Sequence, residues 1–471
     1  MSTSSNLKNH QPNRDSLTAV NDDGSRNIIH PADVKGKFTL WRQLSAYLLI
    51  VVYAALPWIE VGGYPAVFLD TEAMRFHFVG MTFASQDLWL AFFLITGLGF
   101  GLFYVTALLG RIWCGWACPQ TVFLEHVYRR VERWIEGDAV KRRKLDNSGW
   151  GFERIWKRGL KHAVFMGLSL ALAHMFMAYF VSIPGLWDMM QDAPAENWKV
   201  FVFVFAYAGV LYFNFAWFRE QLCIVICPYG RLQSALIDEH SMVIGYDEKR
   251  GEPRGKAKDP NAGACIDCNK CVQVCPTGID IRQGLQLECI GCAACIDACD
   301  SVMDKLKRPR GLIRYDSMEG LEGRKTKYIR PRMILYTVLL LVGASVLLYS
   351  LRGLGDATIT AWRAPGSSYY VDEEVVRNQF MVRVTNTSNE SGTYSLRLNY
   401  EQEGVSVRGV DEAFEIVGNG DLVRPVVVLA SKESYAGGFS MVVEVLDEEG
   451  KALMERPLEF IGPSPRLLNK Q

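Results

Sequence analysis

The stretches CIDCNKCVQVCP, residues 265–276, and CIGCAACIDACD, residues 289–300, repeat one cysteine spacing, C-x2-C-x2-C-x3-C, and hold eight of the chain's twelve cysteines. A [4Fe–4S] cube needs four thiolates, and a tight loop supplies only three of them from closely spaced positions. In a doubled run the fourth thiolate is exchanged. Cys265, Cys268, Cys271 and Cys299 are therefore expected to hold one cluster, and Cys289, Cys292, Cys295 and Cys275 the other. Pro276 follows Cys275 as the pattern asks, whereas Asp300 stands in the matching place after Cys299 and is expected to weaken the loop stop there. Zinc sites space their cysteines in separated pairs, and disulfides need an oxidising compartment, so the spacing favours clusters over both. The chemistry it predicts is electron transfer by a bacterial-type dicluster module.

Outward from this module the composition changes. Equal numbers of basic and acidic residues, 51 of each, give no sign of a nucleic-acid partner, while 12% aromatic residues and several long apolar runs point to lipid. Windows of about 20 residues pick out five runs: Leu44 to Ile59, Leu88 to Gly110, Ala163 to Ile183, Val200 to Phe218, and Met333 to Leu351. Basic residues gather before the first run (Lys35, Lys37, Arg42) and between the second and third (among them Arg129, Arg130, Arg133, Lys141, Arg142, Arg143 and Lys144). The segments after the first and third runs hold only Arg75 and Lys199. The positive-inside rule then puts the N-terminus and the clusters in the cytoplasm of a bacterium, with a multi-pass bundle in the inner membrane and the segment after Leu351 in the periplasm. No cysteine occurs after Cys299, in keeping with that placement.

These readings give a domain order. Residues 1–36 are polar, rich in Ser, Asn and Asp, and read as a disordered cytoplasmic tail without a cleavable signal. Residues 37–240 form a four-span membrane domain, 241–332 the cytoplasmic ferredoxin-like domain, and 333–351 the fifth span. Residues 352–471 hold short strand-like runs such as FMVRVT (380–385), YSLRLNY (394–400) and FSMVVEVL (439–446), separated by turn clusters. They predict an immunoglobulin-like β-sandwich without the Cys-Trp-Cys signature, serving as a docking module.

The remaining four cysteines form an internal repeat. Cys114 and Cys118 precede Pro119 just past the second run, and Cys223 and Cys227 precede Pro228 just past the fourth, each pair with an arginine upstream (Arg111, Arg219). C-x3-C puts two sulfurs on one face of a helix, and the following proline favours a helix end, so each pair is expected to aim two thiolates at one point. Should the pairs converge, soft sulfur ligands favour Cu(I), zinc or an iron–sulfur cluster. Inert packing is the alternative, because free cysteine is commonly buried.

In this order the motifs resemble those of the membrane-bound polyferredoxin-like accessory proteins of cbb-type cytochrome oxidase, the CcoG, FixG and RdxA family. The resemblance covers nearly the whole chain: paired C-x3-C-P motifs, the dicluster run, a fifth span and a C-terminal immunoglobulin-like domain. It implies a cupric reductase that delivers Cu(I) for oxidase assembly, with Cys114, Cys118, Cys223 and Cys227 as copper ligands. It also implies partners among oxidase subunits or a copper chaperone or transporter, together with a separate electron donor; self-association stays open. Asp300 departs from the dicluster pattern. Two other classes compete. One is a quinol-oxidising ferredoxin-type subunit of a respiratory chain, against which stand the added span and β domain; the other is a non-catalytic assembly scaffold.

Several further features carry plainer expectations. Gly97 and Gly101 imitate a dinucleotide loop but lie inside an apolar run, so close helix packing is expected. His174, Met175 and Met177, with Met189 and Met190 beyond, offer a soft-metal path or, as the favoured reading, gap-filling core. His126 and His240 read as solvated or structural, and Lys141 to Lys144 as topology control. No C-x-x-C-H haem site or flavin fingerprint occurs, so the electron donor is another molecule.

Overall fold

The computed structural model describes residues 28–71, 74–84, 88–352, 357–388, 390–410 and 412–465. Among the described residues five helices are long and apolar enough to cross a membrane: Lys37–Trp58, Trp89–Leu109, Phe152–Val181, Trp198–Phe218 and Pro331–Leu351. We number these candidate spans one to five. A helix satisfies its own backbone donors and acceptors, which is what an apolar solvent demands. The first span closes in a 3₁₀ turn, Leu56–Trp58, at Pro57, which lacks the N–H to continue the ladder. The third begins well before the expected Ala163, because its opening turns carry Lys157, Arg158 and Lys161 and a hydropathy window reads only the apolar remainder. Spans three and four share a small core around Ala173, Val204 and Ala208.

The chain divides into two compact units, residues 1–58 with 92–344, and residues 59–91 with 345–471. In the first unit the dicluster module pairs two short helices, Lys270–Gln273 and Ala294–Lys305, above an antiparallel ribbon of Val243–Tyr246 and Ile313–Asp316. The two cysteine loops repeat their backbone: Asp267 and Asn269 in the first, and Gly291 and Ala293 in the second, all take positive φ. Those left-handed residues let three successive cysteines face inward round one point. Asp300 lies inside the helix Ala294–Lys305, so no loop stop exists there to weaken; its carboxylate accepts the Gly311 N–H at 3.0 Å.

The expectation of a disordered tail is corrected for its last part. Residues 1–27 lie outside the described residues, but residues 28–36 form an extended strap held along the module. The Ala32 N–H donates to Gln273 O at 2.8 Å, and Arg142 Nη2 donates to Pro31 O at 3.1 Å. Asp297, between two cluster cysteines, caps the first span by accepting the Thr39 N–H and hydroxyl, each at 2.7 Å. Gly36 is needed at this approach, since a Cβ there would stand 2.2 Å from Asp297 Cγ. Composition reported the polarity of the strap and missed these backbone partners.

In the second unit two antiparallel sheets pack as a sandwich. One orders Val405–Arg408, Asp421–Ser431, Val375–Asn386 and Ala357–Arg363, with Tyr370–Val371 also on the third strand; the other orders Phe414–Ile416, Gly392–Tyr400, Phe439–Leu446 and Ala452–Phe460. Alternation sets the inner faces: Phe380, Val382 and Val384 point into a core that also takes Val426, Val428, Met441 and Val443. Between spans one and two the chain makes a hairpin (Glu60–Val61 with Tyr64–Pro65) and a three-stranded sheet (Val67–Asp70, Arg75–Phe78, Met81–Ala84). The central strand alternates as RFHF, residues 75–78. His77 stacks on Tyr64 with centroids 3.8 Å apart, and Arg75 pairs with Asp421 of the sandwich at 3.3 Å.

Candidate functional site

The eight dicluster cysteines divide between two neighbouring cavities. One is lined by Cys265, Cys268, Cys271 and Cys299, the other by Cys275, Cys289, Cys292 and Cys295, with Cys271 reaching both. Each set draws residues from both sequence runs. Ile279, Ile281, Ile290 and Ile244 wall the second cavity, while the first sets Asn269, Lys270 and Arg282 beside Val302, Met303 and Leu312. Four soft thiols round one space suit an iron–sulfur cube, whose potential burial and nearby hydrogen bonds tune. Burial pushes the Cys271 thiol up to about 11 and Cys275 and Cys299 up to about 12, so an acceptor with strong affinity for thiolate is required before these protons leave.

The C-x3-C-P copies fold alike, though not as one helix carrying both sulfurs. In the first, a short helix, Ile112–Trp116, stops before Cys118; Cys118 is extended and Pro119 opens the next helix, Pro119–Phe123. In the second, the π-helical turn Leu222–Ile226 stops before Cys227, which is likewise extended, and Pro228 opens Pro228–Leu236. The expectation that proline ends the cysteine helix is therefore corrected. A residue before proline is driven out of the α region, and proline suits the first helical position. Both second cysteines close the same wide turn, Cys118 N–H to Trp113 O at 2.9 Å and Cys227 N–H to Leu222 O at 2.8 Å.

The two copies approach each other through Gln233, which follows the second pair and donates to Cys114 Sγ of the first. The Cys223 thiol is pushed up to about 12, first by burial and then by repulsion from Cys118, Cys114 and Cys227. Cys114 rises to about 11 by burial, against a hydrogen bond from Gln233 Nε2 at 3.1 Å. Burial raises Cys118 too, while the amides of Thr121 and Gln120 beside its sulfur pull the other way. Among the described residues no three His, Cys, Asp or Glu side chains close round a point fit for a single metal ion.

One of the four, Cys114, abuts the dicluster module. Cys114 packs against the hydrophobic group that contains Ile290 and Cys292. Gly115 permits the contact, because a Cβ there would lie 2.7 Å from Ile290 O and 3.0 Å from Cys292 Cα and N. Arg111 pins the junction: Nη1 donates to Leu287 O and to Cys289 O at 3.2 Å, and Nη2 to Gly230 O at 3.4 Å beyond the second copy. Its counterpart Arg219 pairs with Glu132, beyond the first copy, and its carbonyl accepts Gln120 Nε2 at 3.0 Å. Each upstream arginine thus reaches the helix that follows the other pair.

Behind the quartet lies a buried ion network. Arg129, 1% exposed, pairs with Glu125 and, at 3.0 Å, with Glu220, and donates to Pro276 O at 3.2 Å beside cluster ligand Cys275. Burial alone would raise the Glu132 carboxyl, but Arg219, Lys161 and Arg142 outweigh it and hold it at about 2. The signal was present as Glu125, Arg129, Glu132 and Glu136 at helical spacing, but such a stripe ordinarily marks a solvated face. His126 meets Tyr47 edge-on, His174 Nδ1 bonds Leu170 O at 2.8 Å, and His240 Nδ1 accepts the Lys327 N–H at 3.5 Å; none joins the sulfur sites. Among the described residues nothing comes within 4 Å of a Cβ placed at Gly97 or Gly101, so the expected close helix packing is not found among them.

Comparison with known proteins agrees with this geometry. Residues 218–318 match a family model described as a 4Fe-4S dicluster domain, residues 89–138 one described as a 4Fe-4S binding domain, and residues 347–463 the "IG-like fold at C-terminal of FixG, putative oxidoreductase". The chain is 34% identical to the nitrogen fixation protein FixG of Rhizobium meliloti, over 89% of this chain and 90% of that one. It is 36% identical to protein RdxA of Cereibacter sphaeroides, over 79% and 82%. The ferredoxin-type protein NapH of Haemophilus influenzae is 26% identical over 56% of this chain and 87% of its own. The chain belongs to the FixG/RdxA family and is a membrane-type iron–sulfur electron-transfer protein.

Proposed function

We propose that this protein is a membrane cupric reductase that takes Cu(II), reduces it at the thiol quartet and releases Cu(I) to an oxidase subunit or a copper chaperone. The observation that carries this reading is the contact of Gly115 and Cys114 with the Ile290–Cys292 loop, which joins a set of soft ligands directly to a cluster wall. When bound, the two [4Fe–4S] clusters supply electrons one at a time. Cu(II) prefers nitrogen and oxygen donors and Cu(I) prefers thiolate, so Cys114, Cys118, Cys223 and Cys227 favour the product and draw the reduction forward. Each Cu(II) takes one electron, and each thiol that binds it releases its proton to water. Gln233 holds the Cys114 sulfur, and Arg111 fixes both cysteine loops against the cluster loop.

The topology we propose has the strap, the 110–151 segment and the dicluster module in the cytoplasm, and the 59–91 sheet and the sandwich in the periplasm of a bacterial inner membrane. Basic residues on the first three segments support it. So does parity: Arg111 and Arg142 join segments that five crossings put on one side, and the Arg75–Asp421 pair joins two segments that they put on the other.

A second reading gives the quartet a third iron–sulfur cluster. It is favoured by the match of residues 89–138 to a 4Fe-4S binding domain. Metal analysis of anaerobically purified protein decides. The reductase reading expects copper uptake that vanishes when all four cysteines become serine, with iron and sulfide unchanged; loss of iron in that variant establishes the third cluster, and unchanged copper uptake removes the copper site.

A further inference from the structure

One large cavity has no part in the sulfur sites. It encloses about 450 Å³, within the roughly 300–1,000 Å³ usual for small-molecule sites. Three candidate spans wall it, through Leu49 and Ile50 of the first, Leu172 and Phe176 of the third, and Tyr207 and Leu211 of the fourth. A ligand reaches such a place from lipid. Its floor is the first C-x3-C-P loop: Trp113 precedes Cys114, and Ala117 and Pro119 flank Cys118. A molecule seated there lies against the chain neighbours of the cysteines proposed to handle copper.

The lining has the chemistry for a flat ring carrying oxygens. Tyr53, Trp113, Phe123, Phe176 and Tyr207 supply aromatic faces and edges. Two amides converge on the same space and are locked together: Asn214 Nδ2 donates to Gln120 Oε1 at 2.7 Å, and Gln120 Nε2 to Asn214 Oδ1 at 3.2 Å. Gln120 is fixed again by its bond to Arg219 O. A lipid acyl chain has no use for a paired amide, and a hydrophilic cofactor has no use for three apolar walls. The π-helical turn Asn214–Phe218 swings Asn214 out of the regular ladder toward Gln120, as such turns do at functional sites.

We infer that this cavity binds a lipid-soluble quinol, a hydroquinone ring with an isoprenoid tail, and that this molecule is the electron donor. The destination of its electrons rests on the cupric-reductase reading; the binding site does not. One hydroquinone loses its two hydroxyl protons to water and two electrons, becoming the quinone. The electrons reduce two Cu(II) to two Cu(I), so charge and atoms balance.

The test uses the full chain, anaerobically purified in lipid nanodiscs, with a photoreactive azidoquinone and unlabelled decyl-ubiquinone as competitor. Saturable labelling of the peptides that hold Tyr53, Gln120 or Tyr207 is expected. Leu211→Trp fills the cavity and should weaken labelling at least about tenfold, and Tyr207→Phe, which removes one hydroxyl, about three- to tenfold. Unchanged cluster EPR spectra verify that both variants fold. Labelling elsewhere, labelling that does not saturate, or displacement by decanol as effective as by the quinone overturns the inference, the last by making the cavity an acyl-chain groove. The two readings fail separately: dithionite-driven copper reduction without quinone binding removes only the quinol site, and quinone binding here without Cu(I) formation removes only the reductase.

Discussion

Gly115→Ala tests the junction between the two sulfur sets. Gly115 lies in the short helix Ile112–Trp116, so its backbone accepts alanine, and helix propensity alone would make the change stabilising by about 1 kcal/mol. The added methyl, however, meets Ile290 O at 2.7 Å and Cys292 Cα and N at 3.0 Å. These are backbone atoms and cannot rotate aside, so the loops must part by several tenths of an ångström. Overpacking of this kind costs about 1–3 kcal/mol. Gly167→Ala in the third span is the control, since nothing lies within 4 Å of the new atom there and the propensity gain is the same. Denaturant titration read by cluster absorbance should place Gly115→Ala about 1–3 kcal/mol below Gly167→Ala. Rapid mixing of the reduced protein with Cu(II) should also reoxidise the clusters more slowly in Gly115→Ala alone. Equal stability within about 0.5 kcal/mol, together with equal reoxidation rates, would refute the close approach of the two loops.

Arg129→Met leaves Glu125 and Glu220 buried without their guanidinium and should cost about 3–5 kcal/mol, with Glu125→Gln plus Glu220→Gln recovering part of it; denaturant titration of the single and triple variants measures both. Cys299→Ser should disturb the cluster of the first run, and Cys275→Ser that of the second; iron analysis with EPR should find about half the iron lost in each, from opposite clusters. Burial, aided by the Arg42 guanidinium, lowers His126 to about 4, so the folded protein keeps this ring neutral while the unfolded chain protonates it near 6.5. Its contribution is complete above pH 6.5 and is lost as pH falls toward 4, at about 1.4 kcal/mol per pH unit. His126→Phe should flatten the acid side of the stability profile by that slope, and an unchanged profile would contradict the assignment.

The parts of this fold that depend on local chemistry could be read directly. Cysteine spacing picked out the eight residues that line two neighbouring cavities, and apolar runs located the five helices. Alternation such as that of Phe380, Val382 and Val384 located the sandwich. What stayed hidden depends on partners distant in sequence. The strap at 28–36 looks disordered until Gln273 O and the Arg142 guanidinium receive it. The Glu125–Arg129–Glu220 network looks like a solvated helix face until the second C-x3-C-P copy covers it. The amide pair Gln120–Asn214 joins residues of opposite repeats, and no pattern within either repeat announces it. The C-x3-C-P turns went astray for a local reason: proline was read as the end of one helix when it is the start of the next.

Single-turnover electron transfer bears most directly on the central claim. The protein is reduced anaerobically, freed of reductant and mixed with one Cu(II) per cluster electron. Cluster absorbance and a Cu(I)-specific chelator are then followed together. The account predicts that the clusters reoxidise as Cu(I) appears in equal amount, and that replacing Cys114, Cys118, Cys223 and Cys227 by serine leaves the clusters reduced and the copper divalent. Reoxidation at the wild-type rate in that variant would contradict it.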